Sequence, residues 1–301
     1  MKQKSLKENS SIKDRLEYLY VEHAIIDQKD SSVEIRQGAN SIPIPIASIA
    51  CLILGPGVTV THAAIVAISD SGCLLIWSGE HMRTMYATGI QDNRSSRNIL
   101  RQIAYWADPD KHLLVVRRFY QRRFPEKNMD GWSIRQMQGA EGVRVKNTYL
   151  TCAKEYGVTW TERQYNRDDW EGQEDIQKAL TIGNKFLYNV CHAAIVALGF
   201  SPVIGFIHTG MMRSFVYDIA DLYKADIVIP LAFSNTANGK QPEEMRESVR
   251  KKMQEKQLIR VIEKDLEKLF DEVDEEGQTD EGELWGPNGN IPAGRNYGNK
   301  T

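Results

Sequence analysis

Near Arg94 the apolar residues of this chain stop alternating and take up helical spacing. Side chains alternate across a strand but return to one helix face about every 3.6 residues, so the change separates a β-rich region from a helical one. Before it, Leu16, Tyr18 and Tyr20 alternate with polar residues, Val33 and Ile35 mark a second strand, and Gln37-Gly38-Ala39-Asn40 reads as a turn. Residues 41–46 alternate as SIPIPI, and Pro43 and Pro45 confine them to an edge or irregular strand. The apolar runs 49–54 and 73–77 read as buried strands, and residues 61–69 as a short helix capped by Thr61.

After Arg94, Ile99, Ile103 and Trp106 open one helix, residues 113–124 form another that Pro125 stops, and residues 133–156 make a third. Ile176, Leu180, Leu187, Val190, Ala194 and Leu198 trace a long stripe expected at the centre of the core. Ser214 is placed to cap a helix carrying Phe215, Ile219 and Leu222, and residues 243–270 read as one amphipathic helix. The fold expected is α+β: a small N-terminal β-rich domain (1–90), a larger all-helical domain (91–274), and a flexible acidic tail (275–301) that has lost its apolar period.

The net charge of −2, from 40 acidic and 38 basic residues, conceals a segregated distribution. Between residues 94 and 123 stand Arg94, Arg97, Arg101, Lys111, Arg117, Arg118, Arg122 and Arg123 against only Asp108 and Asp110, while residues 271–283 are acidic and free of bases. A basic segment interleaved with Tyr105, Trp106, Phe119 and Tyr120 suits a phosphate backbone, although a solvated helix face would look the same. Cys51, Cys73, Cys152 and Cys191 are scattered without a CxxC pair, which argues against a zinc module or a disulfide framework and for a reducing cytoplasm. The polar start MKQKSLKENSS and the lack of a long apolar run give no reason to expect a secretory signal or a membrane span.

The chemistry concentrates in residues 202–226. Glycines punctuate GFIHTG, and Asp218 and Asp221 then lie three apart, about one helical turn from each other. Two like charges at that spacing cost stability unless a cation lies between them; Mg2+ or Mn2+ would serve, with His208 completing the site. A solvated acid pair and a hydrogen-bonded loop histidine are the plain alternatives.

The runs QGAEGVRVK (138–146), YGVTW (156–160), GFIHTG (205–210) and SFVYDIADLYKAD (214–226), with LGPGVTVTHAA (54–64) and LLIWSGE (74–80), resemble the CRISPR-associated integrase of the spacer-acquisition machinery in its type I-E form. The likeness spans about residues 12–233. It implies a metal-dependent DNA nuclease and integrase that captures short foreign DNA fragments and inserts them into a repeat array by attack of a 3′-hydroxyl. It further implies an N-terminal domain that dimerises, a helical catalytic domain, and assembly of two homodimers with a dimer of a small ferredoxin-like partner along DNA. Matched residue by residue, the catalytic set is Glu141, His208, Asp218 and Asp221. Glu141, His208 and Asp221 are the implied ligands of Mg2+ or Mn2+, and Asp218 is a ligand, a supporting group or a base.

DNA contacts follow partly from the likeness and partly from the basic segment. His23 stands where relatives stack a Tyr, Arg83 lies beside the matched position Thr84, and Arg213 lies two residues beyond Met211, where relatives have Lys. Thr59 replaces an expected Arg, while Tyr165 and Tyr188 match residues that read the motif flanking a captured fragment. Arg97, Arg101, Arg117 and Arg118 complete the expected set. Two other readings share these residues: a stand-alone nuclease on branched or damaged DNA, and a non-catalytic DNA-binding scaffold.

Overall fold

The computed structural model describes residues 18–29, 32–80, 84–89, 96–129, 131–164, 170 and 172–270, with the backbone of 283–284 and 291–292. Up to residue 89 the described strands are β1 (Leu19–Val21), β2 (Ile25–Lys29), β3 (Ser32–Gln37), β4 (Asn40–Ile44), β5 (Cys51–Leu54), β6 (Thr59–Val60), β7 (Leu74–Ser78) and β8 (Met85–Thr88). They form two sheets. In one, β4–β3–β2 is an antiparallel meander with β6 parallel to β2, and the proline-bearing β4 sits at the edge as its sequence requires. In the other, β1, β5 and β7 run parallel and β8 closes one side antiparallel.

The unbroken apolar runs of β5 and β7 are explained by burial on both faces. Leu52, Leu54 and Leu75 pack with Ile26, Val33, Ile35 and Ile68 between the sheets and α1 (His62–Asp70), whereas Cys51, Ile53, Leu74 and Ile76 join the core of the helices. Thr61 caps α1 as expected, its hydroxyl accepting from Ala64 N at 3.2 Å.

The helical part comprises α2 (Arg97–Ala107), α3 (Pro109–Arg123), α4 (Ile134–Tyr156), α5 (Asp175–Ala197), α6 (Ser214–Ala220), α7 (Ile229–Ala237), α8 (Met245–Glu255) and α9 (Leu258–Phe270), with a π-helical stretch at Lys224–Val228. α5 is buried on every side and packs against α6, α7, α8, α9 and β7, so the long stripe is the centre of the core. Ser133 and Gln136 form a capping box at the start of α4, and Gly157, at φ 67°, ends it in the left-handed conformation that glycine adopts freely.

Three expectations need correction. The segment 243–270 is two helices, because Met253 and Leu258 are five positions apart and a single helix would turn Leu258 off the buried stripe. Gln257, at φ 49°, makes the break. α2 carries Ile99, Ile103 and Trp106 as expected, although the residues it buries are Gln102 and Tyr105, with Ile103 42% and Trp106 48% exposed. α3 starts at Pro109, ahead of residue 113, because the Asp108 carboxylate accepts from Asp110 N and Lys111 N. Ser214 lies inside α6; its hydroxyl donates to Met211 O at 2.8 Å and accepts from Met211 N at 3.1 Å, closing the preceding turn.

All four cysteines are buried, and no disulfide joins any two of them. No helix among the described residues is long and apolar enough to cross a membrane. Residues 275–301, expected to be a flexible tail, lie outside the described residues apart from Glu283–Leu284 and Ile291–Pro292, which pair antiparallel.

Candidate active site

The loop joining α5 to α6 carries the site, and α2 and α3 hold it. Asn98 Nδ2 donates to Leu198 O at 2.7 Å. The Gln102 carboxamide donates to Ser201 O at 3.0 Å and Ile204 O at 2.8 Å, and accepts from Ser201 N at 2.7 Å. His112 Nε2 donates to Phe206 O at 2.9 Å. The loop then folds so tightly that a Cβ on Gly205 would overlap the His208 carbonyl and come within 2.8 Å of Ser214 Cβ, so only glycine fits.

That turn aims its amides at Asp218, a fully buried residue of α6. Asp218 Oδ2 accepts from Phe206 N at 2.6 Å and Ile207 N at 3.1 Å; Oδ1 accepts from His208 N at 2.9 Å and His208 Nδ1 at 2.8 Å. Four donors fill the acceptor positions of one carboxylate. The Asp218 charge is thus compensated by backbone and imidazole, and the carboxylate is tied to His208.

An ionised carboxylate only accepts, so Nδ1 of His208 carries the proton and Nε2 is the nitrogen left to face outward, 3.9 Å from Asp221 Oδ2. The Asp218 hydrogen bond holds the His208 pKa above its ordinary value, against the opposing effect of burial. Asp221, at the C-terminal end of α6, is partly exposed and has Lys224 Nζ at 4.0 Å. An aromatic wall flanks the ring: Tyr217 meets His208 with centroids 5.9 Å apart and Tyr188 meets Tyr217 at 5.0 Å, both edge-on.

Glu141 projects from the second turn of α4 and is held by Arg144 one turn along, whose Nε and Nη2 donate to its two oxygens at 3.1 and 3.2 Å. Arg123 lies between Glu141 and α6, with Nη1 3.9 Å from Glu141 Oε1 and Nη2 donating to Asp218 O at 3.4 Å. The structure therefore brings His208, Asp218 and Asp221 together directly and links Glu141 to them through Arg123. Among the described residues no three of His, Cys, Asp and Glu converge closely enough to hold a metal ion.

The expected DNA contacts are dispersed. Arg97 is exposed and Arg101 half-buried on α2, and Arg117 is half-buried on α3. Arg118 donates to Leu269 O at 2.9 Å, and Arg122 pairs with Asp265 at 2.9 Å, so part of the basic segment ties α3 to α9. Arg213 donates to Asn189 Oδ1 at 2.7 Å. His23 is exposed, at φ 50°, in the turn after β1, and Tyr188 is partly buried in the aromatic wall. Arg83 and Tyr165 lie outside the described residues. The reading of the sequence passed over Gln102, Asn98, His112 and Arg144, and counted Arg123 only as part of the basic segment. Arg144 had a signal, since it lies inside QGAEGVRVK three residues from Glu141; buried Gln102 had none.

Residues 127–265, which contain all four catalytic candidates, match the family described as CRISPR associated protein Cas1. CRISPR-associated endonuclease Cas1 2 of Thermus thermophilus is 42% identical over 305 residues, covering 98% of this chain and 94% of the relative. The chain belongs to the Cas1 family of CRISPR-associated endonucleases. The Cas1 endonuclease of Escherichia coli K12 is 41% identical over 223 residues, 74% of this chain and 73% of that protein. A crystal structure of TtCas1 in complex with DNA superposes with TM-score 0.75 at 44% identity, covering 86% of this chain and 98% of that one. The Cas1 fold thus accounts for both halves of the molecule, strands and helices.

Proposed function

We propose that the chain is a type I-E integrase of spacer acquisition, a metal-dependent DNA endonuclease that inserts short captured fragments into a CRISPR array by 3′-hydroxyl transesterification. The observation that carries this is the fixed Asp218–His208 pair, which leaves one imidazole nitrogen facing the Asp221 carboxylate, with Glu141 across Arg123. Carboxylate oxygens and one imidazole form a donor set suited to Mn2+ and acceptable to Mg2+, and Asp218 fixes the tautomer as supporting carboxylates do for ligating histidines. Glu141, His208 and Asp221, drawn closer together than they stand in this structure, would hold the ion, and Asp218 would orient His208. A divalent ion there supplies polarisation of a phosphoryl oxygen and stabilisation of the attacking oxygen.

The rest falls to the chain's own residues. Gln102, Asn98 and His112 hold the loop, Gly205 permits the turn, and the Tyr188–Tyr217 wall bounds the space beside His208. The similarity to a relative crystallised with DNA supports a DNA substrate, held through His23, Arg83, Arg97, Arg101, Arg117, Arg118, Tyr165, Tyr188 and Arg213. The working assembly is a homodimer, paired with a small ferredoxin-like partner that bridges two such dimers.

A strand-transfer assay tests this. The protein, with and without the partner, is incubated with a short duplex bearing 3′-hydroxyl ends and a plasmid carrying the repeat array, in Mg2+, Mn2+ or chelator. Joined product that requires metal and partner and disappears in Asp221→Ala is the expected result. Partner-independent cutting without joining would move the reading to a stand-alone nuclease, and chelator-insensitive binding without either reaction to a scaffold.

A further inference from the structure

Glu141 is assigned to a divalent ion, yet both of its oxygens are taken by one guanidinium. The two arginines around it are not equivalent. The Arg123 side chain is only 2% exposed, its Nε has no partner among the described residues, and its charge is met by Glu141 at 3.9 Å, the Asp218 carbonyl and the Tyr120 ring face at 5.2 Å. A buried guanidinium in that setting cannot give up its nearest carboxylate cheaply, so Arg123 keeps Glu141 at the site. Arg144 lies on the outer side, its side chain 21% exposed and its guanidinium near the Phe124 ring at 5.7 Å, and can turn away to water.

We propose that Arg144 is a positioning residue that competes with the divalent ion for Glu141, leaving when the ion enters. This inference rests on the metal site proposed above. A dication arriving while Arg144 keeps its fork would put three cationic groups around one carboxylate. Departure of Arg144 removes that repulsion and frees Glu141, while Arg123 holds the carboxylate in place. A released guanidinium fork matches the geometry of a phosphate, so a DNA backbone beside the site draws Arg144 off and raises affinity for the ion. By linkage, the ion raises affinity for that DNA by the same factor.

The test is Mn2+ binding to the full-length protein, followed by the EPR signal of free Mn2+, with and without a short duplex bearing 3′-hydroxyl ends. Arg144→Met, which keeps an apolar stem near Phe124, is expected to bind Mn2+ roughly threefold to fivefold more tightly without DNA, the upper scale of one partly exposed ion pair. It should also lose most of the enhancement that DNA gives the wild type. Arg144→Lys, which retains charge but not the fork, should fall between them. Wild-type affinity in Arg144→Met, weaker binding in it, or wild-type behaviour in Arg144→Lys would each overturn the competition. Asp221→Asn separates the two layers: if neither it nor the wild type binds Mn2+, the metal reading itself has failed, whereas Mn2+ binding that needs Asp221 but ignores Arg144 sinks this inference alone.

Discussion

Removing one charge from Asp218 and removing one from Asp221 should have separable consequences, because the first is part of the fold and the second is not. Asp218→Asn would turn an amide N–H toward backbone N–H donors of residues 206–208, leaving a buried donor unsatisfied at a cost of about 2 kcal/mol. We expect its Tm to fall by roughly 5 °C, on the scale of a few degrees per kcal/mol in a chain of this size. Asp221→Asn, whose partly exposed carboxylate has among the described residues no pairing tighter than its long ones to His208 and Lys224, should stay within about 0.5 kcal/mol of the wild type while losing metal-dependent activity. Differential scanning calorimetry of both variants decides it, and the reverse order of stabilities would refute the division of roles. The spacing of the two aspartates was legible in the sequence; which of them receives the amides was not. That depends on Gly205 letting the loop fold back over α6, a contact across the chain that no helical period records.

At the scale of elements, the α2–loop clamp controls where His208 sits. Gln102→Leu keeps the side chain's bulk but strands Ser201 N, Ser201 O and Ile204 O, and should cost on the order of 2–4 kcal/mol. Hydrogen exchange should then quicken at the amides of Phe206, Ile207 and His208 more than in α5; uniform quickening would mean that the clamp has no local role. The clamp also shows why the period placed α2 without giving its inward face: that face is chosen by Gln102 and Tyr105, so polarity does not report burial there. On α5 the same period succeeded because the helix is buried all round. His192 of α5 provides a pH test. Burial, assisted by the Arg213 guanidinium, lowers its pKa from 6.5 to about 4. Between those values the unfolded chain binds a proton that the folded chain refuses, so stability should fall as pH drops through this window, by on the order of 3 kcal/mol from this group. In His192→Asn the fall from pH 6.5 to 4 should be shallower by about that amount in urea titrations, and an unchanged slope would place the charge elsewhere.

On the scale of the whole molecule, the sequence divides near residue 90 while the core does not. The change of period correctly separates strands from helices, but β5 and β7 send alternate side chains to opposite sides, and Cys51, Ile53, Leu74 and Ile76 complete the helical core. An apolar strand run is silent on what covers each face, which is why this junction could not be read in advance. The consequence is mechanical: the sheet that carries β8, reached by Arg213 through Met85 Sδ at 3.9 Å, forms one packed body with the loop that carries His208. We therefore expect no independent unfolding of the β-rich part. Ile53→Ala, at a fully buried position on the helical side of β5, should cost about 2–5 kcal/mol through the cavity left behind. In native-state hydrogen exchange it should lower the opening free energies of β5, β7 and the middle of α5 by the same amount, because these amides open only when the common core is lost. A drop confined to β5 and β7, with α5 unmoved, would mean two separable folding units and a helical part that folds without the sheet.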